Sequence, residues 1–268
     1  MQNIKVSEII IYPIKSFGGI SLNSSKILKT GLEHDRLFML VDENNNFITQ
    51  RQFPILSTIK TEIDKDGIII SNKAFGEIIV PFIQKEENYI EVNVWRSICK
   101  SLVVDENINK ILSNFLNIPC KLVYLPEETK RTVNPEYDIL GNSIVSFADG
   151  YPFLIISQES LDDLNSKLEQ KILMNRFRPN IVVSGGIPFQ EDTWKKINIG
   201  DNIFHIVKPC ERCVITTVEQ DLGISLNKEP LKTLSTYRNI NGKIIFGQNM
   251  ISENFSSIKI YDSVNIIL

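Results

Sequence analysis

The sequence predicts a mainly β protein with a few helices, built as a barrel or sandwich rather than a parallel α/β sheet. Short runs rich in apolar and β-branched residues recur along all 268 residues. Turn-forming clusters punctuate them: Gly18-Gly19, Asp42-Glu43-Asn44-Asn45-Asn46 and Asp64-Lys65-Asp66-Gly67. Only three stretches repeat apolar residues at helical spacing.

In chain order, the predicted strands are Val6-Tyr12, Lys26-Leu28, Leu37-Val41, Gly67-Ser71, Tyr89-Val94, Ser101-Val104 and Lys121-Tyr124. The first helix places Ile108, Ile111, Leu112, Phe115 and Leu116 on one face, with Asp105 as its cap. The second repeats Leu161, Leu164 and Leu168 after Ser157, and the third runs from about Glu229 to Arg238, with Pro230 in its first turn. Pro126 to Pro135 is polar with a proline at each end, and reads as a linker or mobile loop. The chain divides there, into residues 1–125 and 126–268.

Composition excludes several classes. Lys+Arg total 29 against Asp+Glu 32, a net charge of -3, so general nucleic-acid binding lacks its usual basic surplus. No apolar run approaches the roughly 18 residues of a membrane span. The N-terminus lacks the apolar core of a secretory signal. Four cysteines in a chain this long are no disulfide framework, and a reducing cytoplasm is the expected compartment.

Cys210-Glu211-Arg212-Cys213 is the segment richest in chemistry. It lies between Ile203-Val207, a strand ended by Pro209, and the β-branched run Val214-Val218, so it reads as a turn between strands. Thioredoxin-type thiols open a helix, which this context does not offer. Structural zinc needs four ligands, usually as two close pairs; Cys99, Cys120, His34 and His205 are each isolated. Cys99 and Cys120 read as small buried hydrophobes. Arg212 beside Cys213 either favours a thiolate and forks onto a phosphate or is an ordinary surface arginine.

Three further basic sites accompany it. Lys15-Ser16 end a strand before Gly18-Gly19, the form of an anion cradle. Asp35-Arg36 enter the strand Leu37-Val41, where a salt bridge is the simpler role. Arg178-Pro179-Asn180 precede Ile181-Val183 and either bind a ligand or order the turn. Together they point to a polyanionic ligand near a cysteine.

These segments occur in a characteristic order: Tyr12-Pro13-Ile14-Lys15-Ser16, Gly31-Leu32 with Asp35-Arg36, Phe177-Arg178-Pro179-Asn180-Ile181, Gly200-Asp201, Cys210-Glu211-Arg212-Cys213 with Thr216-Thr217-Val218, and Phe246-Gly247-Gln248. The set resembles the MOSC-domain molybdenum cofactor proteins, and among them the mitochondrial amidoxime reducing component and its bacterial counterparts. The resemblance implies an N-terminal MOSC-associated β-barrel domain packed on a C-terminal MOSC β-barrel domain. It implies that Cys213 ligates molybdenum. Lys15, Ser16, Arg36, Arg178, Asn180 and Arg212 would contact the phosphate or pterin of the cofactor, and Asp149, Gly150, Tyr151 and Glu211 would lie against it. The cofactor would sit at the junction of the two regions.

The reaction implied is a two-electron reduction of N-hydroxylated compounds such as amidoximes, hydroxylamines or hydroxylaminopurines. A non-catalytic cofactor carrier and a cysteine-persulfide sulfur-transfer protein are the alternatives. No cluster-binding cysteine series follows the MOSC region. Electrons would therefore come from a separate ferredoxin, flavoprotein or cytochrome b5-like donor. Glu211 departs from the family pattern, and a carboxylate beside an anionic cofactor must point away or be paired.

Overall fold

A computed structural model describes residues 3–83 and 88–267. One long sheet organises it, in the order Ile20–Leu22, Lys5–Ile11, Ile181–Ser184, Phe153–Ser157, Lys243–Ser252, Asn202–Glu211, Lys196–Ile199, Val264–Ile267. Neighbours are antiparallel except Phe153–Ser157 and Ile181–Ser184. That parallel pair needs a crossover, and the helix Gln158–Asn165 lies within it. The first strand of the chain pairs directly with the C-terminal half, Ile9 opposite Ile181. The N-terminal part adds an antiparallel sheet, in the order Phe38–Asp42, Cys120–Tyr124, Ser97–Val103, Tyr89–Val94. It also adds a meander of Lys60–Ile63, Gly67–Asn72 and Gly76–Pro81.

Side-chain alternation makes Phe38–Asp42 the seam of the N-terminal part. Phe38 and Leu40 pack with Ile108, Leu112 and Leu116 of α1 (Glu106–Leu116). Met39 and Val41 pack with Val92, Val94 and Cys99 on the other face. Asp105 accepts from the amide of Asn107 at 2.8 Å and starts α1 as expected. Leu112 is fully buried, so Leu112→Ala would cost about 2–5 kcal/mol. Cys99 and Cys120 are buried, free and apolar-packed, and burial raises both thiols.

The structure corrects four sequence readings. Helix α2 (Gln158–Asn165) starts at its Ser157 cap but stops before Leu168. There the Asn165 side chain bonds both the amide and carbonyl of Ile172 and turns the chain. Helix α3 (Leu231–Tyr237) begins after Pro230, and Glu229 stays outside, accepting from the amide of Thr233 at 3.0 Å. Pro209 does not end its strand: Asn202–Glu211 runs through it, with register shifts on either side of Lys208 and Pro209 that absorb the missing donor. Val214-Thr217 is a 3-10 turn, not a strand, with strand pairing only at Val218–Glu219. Thr216 and Thr217 hydroxyls bond back to the carbonyls of Cys213 and Val214, which competes with extended pairing. Among the described residues, no helix is long and apolar enough to cross a membrane.

Candidate functional site

The Cys213 turn, the chain between Pro13 and Phe17, and the turns around Arg36, Asp149 and Arg178 converge on one cavity of about 150 Å³. Lys15, Ser16 and Arg36 line it from the N-terminal part. Asp149, Gly150, Tyr151, Arg178, Asn180, Glu211, Arg212 and Cys213 line it from the C-terminal part. The eleven residues that the resemblance sets against the cofactor therefore border a single space.

Backbone conformation sets the N-terminal wall. Ser16, Arg36 and Arg178 all have left-handed φ, at 74°, 50° and 54°. Such values are uncommon outside glycine and cluster at functional sites. The ring of Tyr12 carries both guanidiniums, with Arg36 at 4.4 Å and Arg178 at 4.1 Å from its centroid. Tyr12 is itself buried, which pushes its hydroxyl up to about 12. Asp35 accepts from the amide of Tyr12 at 2.8 Å and from Arg36 at 2.6 Å. The salt bridge expected of Arg36 is therefore present beside its place on the cavity wall.

Lys15 donates to the carbonyl of Phe147 at 2.8 Å and to Asp149 at 2.5 Å. Burial lowers Lys15 to about 8, although Asp149 opposes that shift. Burial also disfavours the Asp149 carboxylate, but Lys15, Arg51 and Trp95 outweigh it and hold that group well below the usual range. Asp149 thus serves to place cations: Trp95 donates to it at 3.2 Å, and Arg51 stacks on Trp95 at 4.6 Å. Asn180 reaches the cavity, yet its amide group is taken up between strands, accepting from Leu154 at 3.3 Å and donating to Ile10 at 3.2 Å. Gly150 leaves open space where a Cβ would stand. Burial raises the Tyr151 hydroxyl above its ordinary range.

Arg178 and Arg212 differ from the other cations. Arg212 donates to the carbonyl of Phe246 at 2.5 and 2.7 Å and to that of Phe177 at 2.9 Å. Arg178 donates to the carbonyl of Phe17 at 2.8 Å, and its Nη2 is buried without a partner. Neither pairs with a carboxylate among the described residues. A guanidinium has five donors, so both retain free ones. Burial lowers Arg178 to about 10, and it stays cationic at neutral pH.

Glu211 resolves the problem its sequence position poses. Its side chain is exposed and bonds Lys243 at 2.8 Å and Lys208 at 3.1 Å rather than Arg212. Those lysines lower its carboxyl. Burial raises the Cys210 thiol despite Arg212. Among the described residues, no three His, Cys, Asp or Glu side chains converge as a metal cluster.

Sequence reasoning missed several contributors. Tyr12 was read within its motif but not as the platform for two arginines. Arg131 lies in the supposed linker, yet it is buried and bonds the carbonyls of Ser146 and Ala148, fixing the approach to Asp149. That corrects the mobile-loop reading of this segment: a buried cation needs these fixed acceptors. Gly247 has φ 78°, and a Cβ there would meet Ile156 at 2.6 Å and Arg212 at 3.3 Å. Its glycine lets Arg212 reach the Phe246 carbonyl, a role that Phe246-Gly247-Gln248 alone did not disclose.

The MOSC N-terminal beta barrel domain matches residues 3–119, and the MOSC domain matches residues 142–265. Mitochondrial amidoxime-reducing component 1 of Mus musculus is 33% identical over 278 residues, covering 98% of this chain and 82% of that protein. The Homo sapiens protein of the same name is 32% identical with the same coverage. Molybdenum cofactor sulfurase of Arabidopsis thaliana is 34% identical over 90% of this chain, which spans only 32% of the sulfurase. The chain belongs to the MOSC-domain family.

Proposed function

We propose that this protein is a molybdenum-cofactor-dependent reductase of N-hydroxylated compounds, including amidoximes, hydroxylamines and hydroxylaminopurines. The observation that carries the reading is the Cys213 thiol on the cavity wall, with Cys210 also lining it, beside two guanidiniums without carboxylate partners. An anionic pterin phosphate fits that donor set. Arg178 Nη2 is buried and unpartnered. A thiolate suits a soft, sulfur-ligated metal, and Cys213 has no companion cluster, so the remaining ligands would belong to the cofactor.

Arg212, Arg178, Lys15 and Ser16 would hold the anion, and Cys213 the metal. When bound, the cofactor supplies the two-electron redox change. The protein's part is binding and orientation. Tyr12 and Asp35 fix Arg36, Phe246 fixes Arg212, and Asp149 fixes Lys15.

A separate electron donor, of the ferredoxin, flavoprotein or cytochrome b5-like kind, completes the proposal. An iron–sulfur cluster takes four thiolates, and Cys99 and Cys120 are buried in different packing clusters of the N-terminal part. The relatives' names support the amidoxime substrate class.

The test is expression in a cofactor-competent host, metal analysis, and benzamidoxime reduction with an artificial donor. Wild type should carry stoichiometric molybdenum and turn over; Cys213→Ser should lose both. Molybdenum without turnover would favour the carrier. A persulfide on Cys213 without molybdenum would favour sulfur transfer.

A further inference from the structure

A second concavity, of about 600 Å³, backs onto the Cys213 turn. Cys213, Ile215 and Thr216 border the first cavity, whereas Val214, Thr217 and Val218 border the second. Among the described residues none lines both, so a molecule seated in this groove is separated from Cys213 by the turn itself. The wall is thin. Val214 is peptide-bonded to Cys213, and the carbonyl of Ile244, on the groove, accepts from the amide of Arg212 at 2.8 Å. A reacting group cannot pass such a wall, but an electron tunnels through bonded atoms without an open channel.

The groove has the surface of a protein contact. Pro54, Val214, Leu231 and Ile244 supply its apolar lining. Val214 is 54% exposed, and Leu226, between the lining residues Ser225 and Asn227, is 65% exposed. The charged lining residues are Arg51, Lys228 and Lys232, all cations. Lys232 donates its amide to the carbonyl of Lys228 at 3.0 Å, which sets the two lysines one turn apart. Both are exposed and without carboxylate partners among the described residues. By contrast, Lys208 and Lys243 share the carboxylate of Glu211. The nearby Glu229 carboxylate is turned into the start of α3, onto the amide of Thr233. An apolar centre with a polar rim is the layout of a protein interface. In a chain of net charge -3, an unpaired basic rim steers an acidic partner to this face.

We infer that this groove is the docking face of the electron donor, and that the donor is a small protein with carboxylates around its redox centre. The inference rests on the reductase reading above. Reducing an amidoxime to an amidine consumes two electrons and two protons from solvent. The N–O bond breaks, one proton ends on nitrogen, and the other leaves with the oxygen as water. A one-electron carrier must therefore dock twice per turnover and leave each time. A small face held by exposed ion pairs suits that exchange, because electron-transfer encounters are weak and bury little area. The carrier seats on Val214 and Leu226, its carboxylates meet Lys228 and Lys232, and the electron crosses at Val214 and Cys213.

The test uses the molybdenum-loaded full chain and two acidic carriers as probes, a plant-type [2Fe–2S] ferredoxin and the soluble domain of cytochrome b5. At least one should bind in its oxidised form at low salt, measured by surface plasmon resonance. Lys228→Ala/Lys232→Ala should weaken that binding about 5-fold, as expected for two exposed ion pairs. Lys228→Glu/Lys232→Glu should weaken it further, and added salt should erase the differences. Lys65→Ala/Lys73→Ala, which removes two exposed lysines of the N-terminal part, should bind like wild type.

Turnover separates this inference from the reading beneath it. With reduced methyl viologen, wild type and all three variants should reduce benzamidoxime equally, at equal molybdenum content. With the carrier, kcat/KM for the carrier should fall in the two groove variants alone. Equal carrier binding and equal carrier-driven turnover in wild type and the groove variants overturn the docking face and leave the reductase standing. Viologen-driven turnover with no binding of either carrier overturns it too. Carrier binding without reduction by any donor overturns the reductase reading, and the donor role with it. Co-sedimentation with anionic phospholipid vesicles, lost in the groove variants while neither carrier binds, assigns the face to a membrane surface, and the inference fails.

Discussion

The two halves of the site hold their cations in different ways. Lys15 and Arg36, from the N-terminal part, are neutralised by Asp149 and Asp35. Arg178 and Arg212, from the C-terminal part, rest on carbonyl oxygens and keep their charge uncompensated. A neutralised cation contributes mainly placement and fold stability and adds only a reduced attraction for an anion, while an uncompensated one is fully available to an incoming anion. The same residue type therefore serves two purposes, and substitutions should separate them by which measurement moves.

The largest effect should come from Arg36→Met, and it should appear in stability. Asp35 is almost fully buried and would keep one charge-neutral donor, the amide of Tyr12. Breaking such a buried pair costs about 3–5 kcal/mol. Thermal unfolding should show a drop of about 6–15 °C. An unchanged melting temperature would sink the view of Arg36 as a paired, structural cation.

Gly247→Ala attacks the other half. A Cβ at φ 78° would stand 2.6 Å from Ile156 and 2.8 Å from the Ile155 carbonyl. Strain plus overpacking should cost about 2–4 kcal/mol. Because Arg212 lies across this point, molybdenum content should fall along with the melting temperature. A stable variant with full metal content would show that Phe246 does not position Arg212.

Arg212→Met should do the reverse of Arg36→Met. No carboxylate is orphaned, so the melting temperature should move little. One charged hydrogen-bond set to an anion is worth about 1.5–3 kcal/mol, or roughly 10- to 100-fold in cofactor retention during dialysis. Equal losses of metal in Arg36→Met and Arg212→Met, at matched foldedness, would erase the distinction between the halves.

Which parts of this were legible in sequence follows from the range of the interactions. The β-rich class, the α1 cap at Asp105 and the burial of Cys99 and Cys120 depend on local pattern, and they read correctly. The peptides bearing Lys15, Arg36, Arg178, Arg212 and Cys213 were also legible, because each carries its own basic or thiol group. Asp149-Gly150-Tyr151 carries neither and was named only through the family resemblance. The partners of the basic groups were not legible: Lys15 meets Phe147 across 132 positions, and Arg178 meets Phe17 across 161. Arg131 looked like a loop cation for the same reason. The Val214-Thr217 turn misled because β-branched residues favour strands, and only the threonine back-bonds reverse that preference.

Lys15 offers a smaller, pH-dependent test of the paired half. Its folded value is about 8, below the ordinary 10.5, because burial opposes the charge. Below pH 8 both folded and unfolded chains carry the proton, and the folded chain bears the burial cost. Between about 8 and 10.5 the unfolded chain binds more protons, so Lys15's contribution to stability rises with pH. Anion attraction runs the other way, because Lys15 loses its charge over the same window. Cofactor retention should therefore decline above pH 8 in wild type, and Lys15→Met should flatten that decline. A decline of the same size in Lys15→Met would assign it to another group.

The smallest effect is expected at Glu211, although its position in the Cys-Glu-Arg-Cys segment makes it conspicuous. Its carboxylate is solvent-exposed and faces Lys208 and Lys243 rather than Arg212. Exposed pairs contribute little, so Glu211→Ala should shift the melting temperature by less than about 3 °C. Arg212 would keep its carbonyl partners, and molybdenum content should stay near wild type. The freed lysines add positive charge outside the cavity, so any change in retention should be a slight gain that salt suppresses. A pronounced loss of molybdenum in Glu211→Ala would mean that this carboxylate orders the turn bearing Cys213. The paired cations that matter to the site would then extend into its C-terminal half as well.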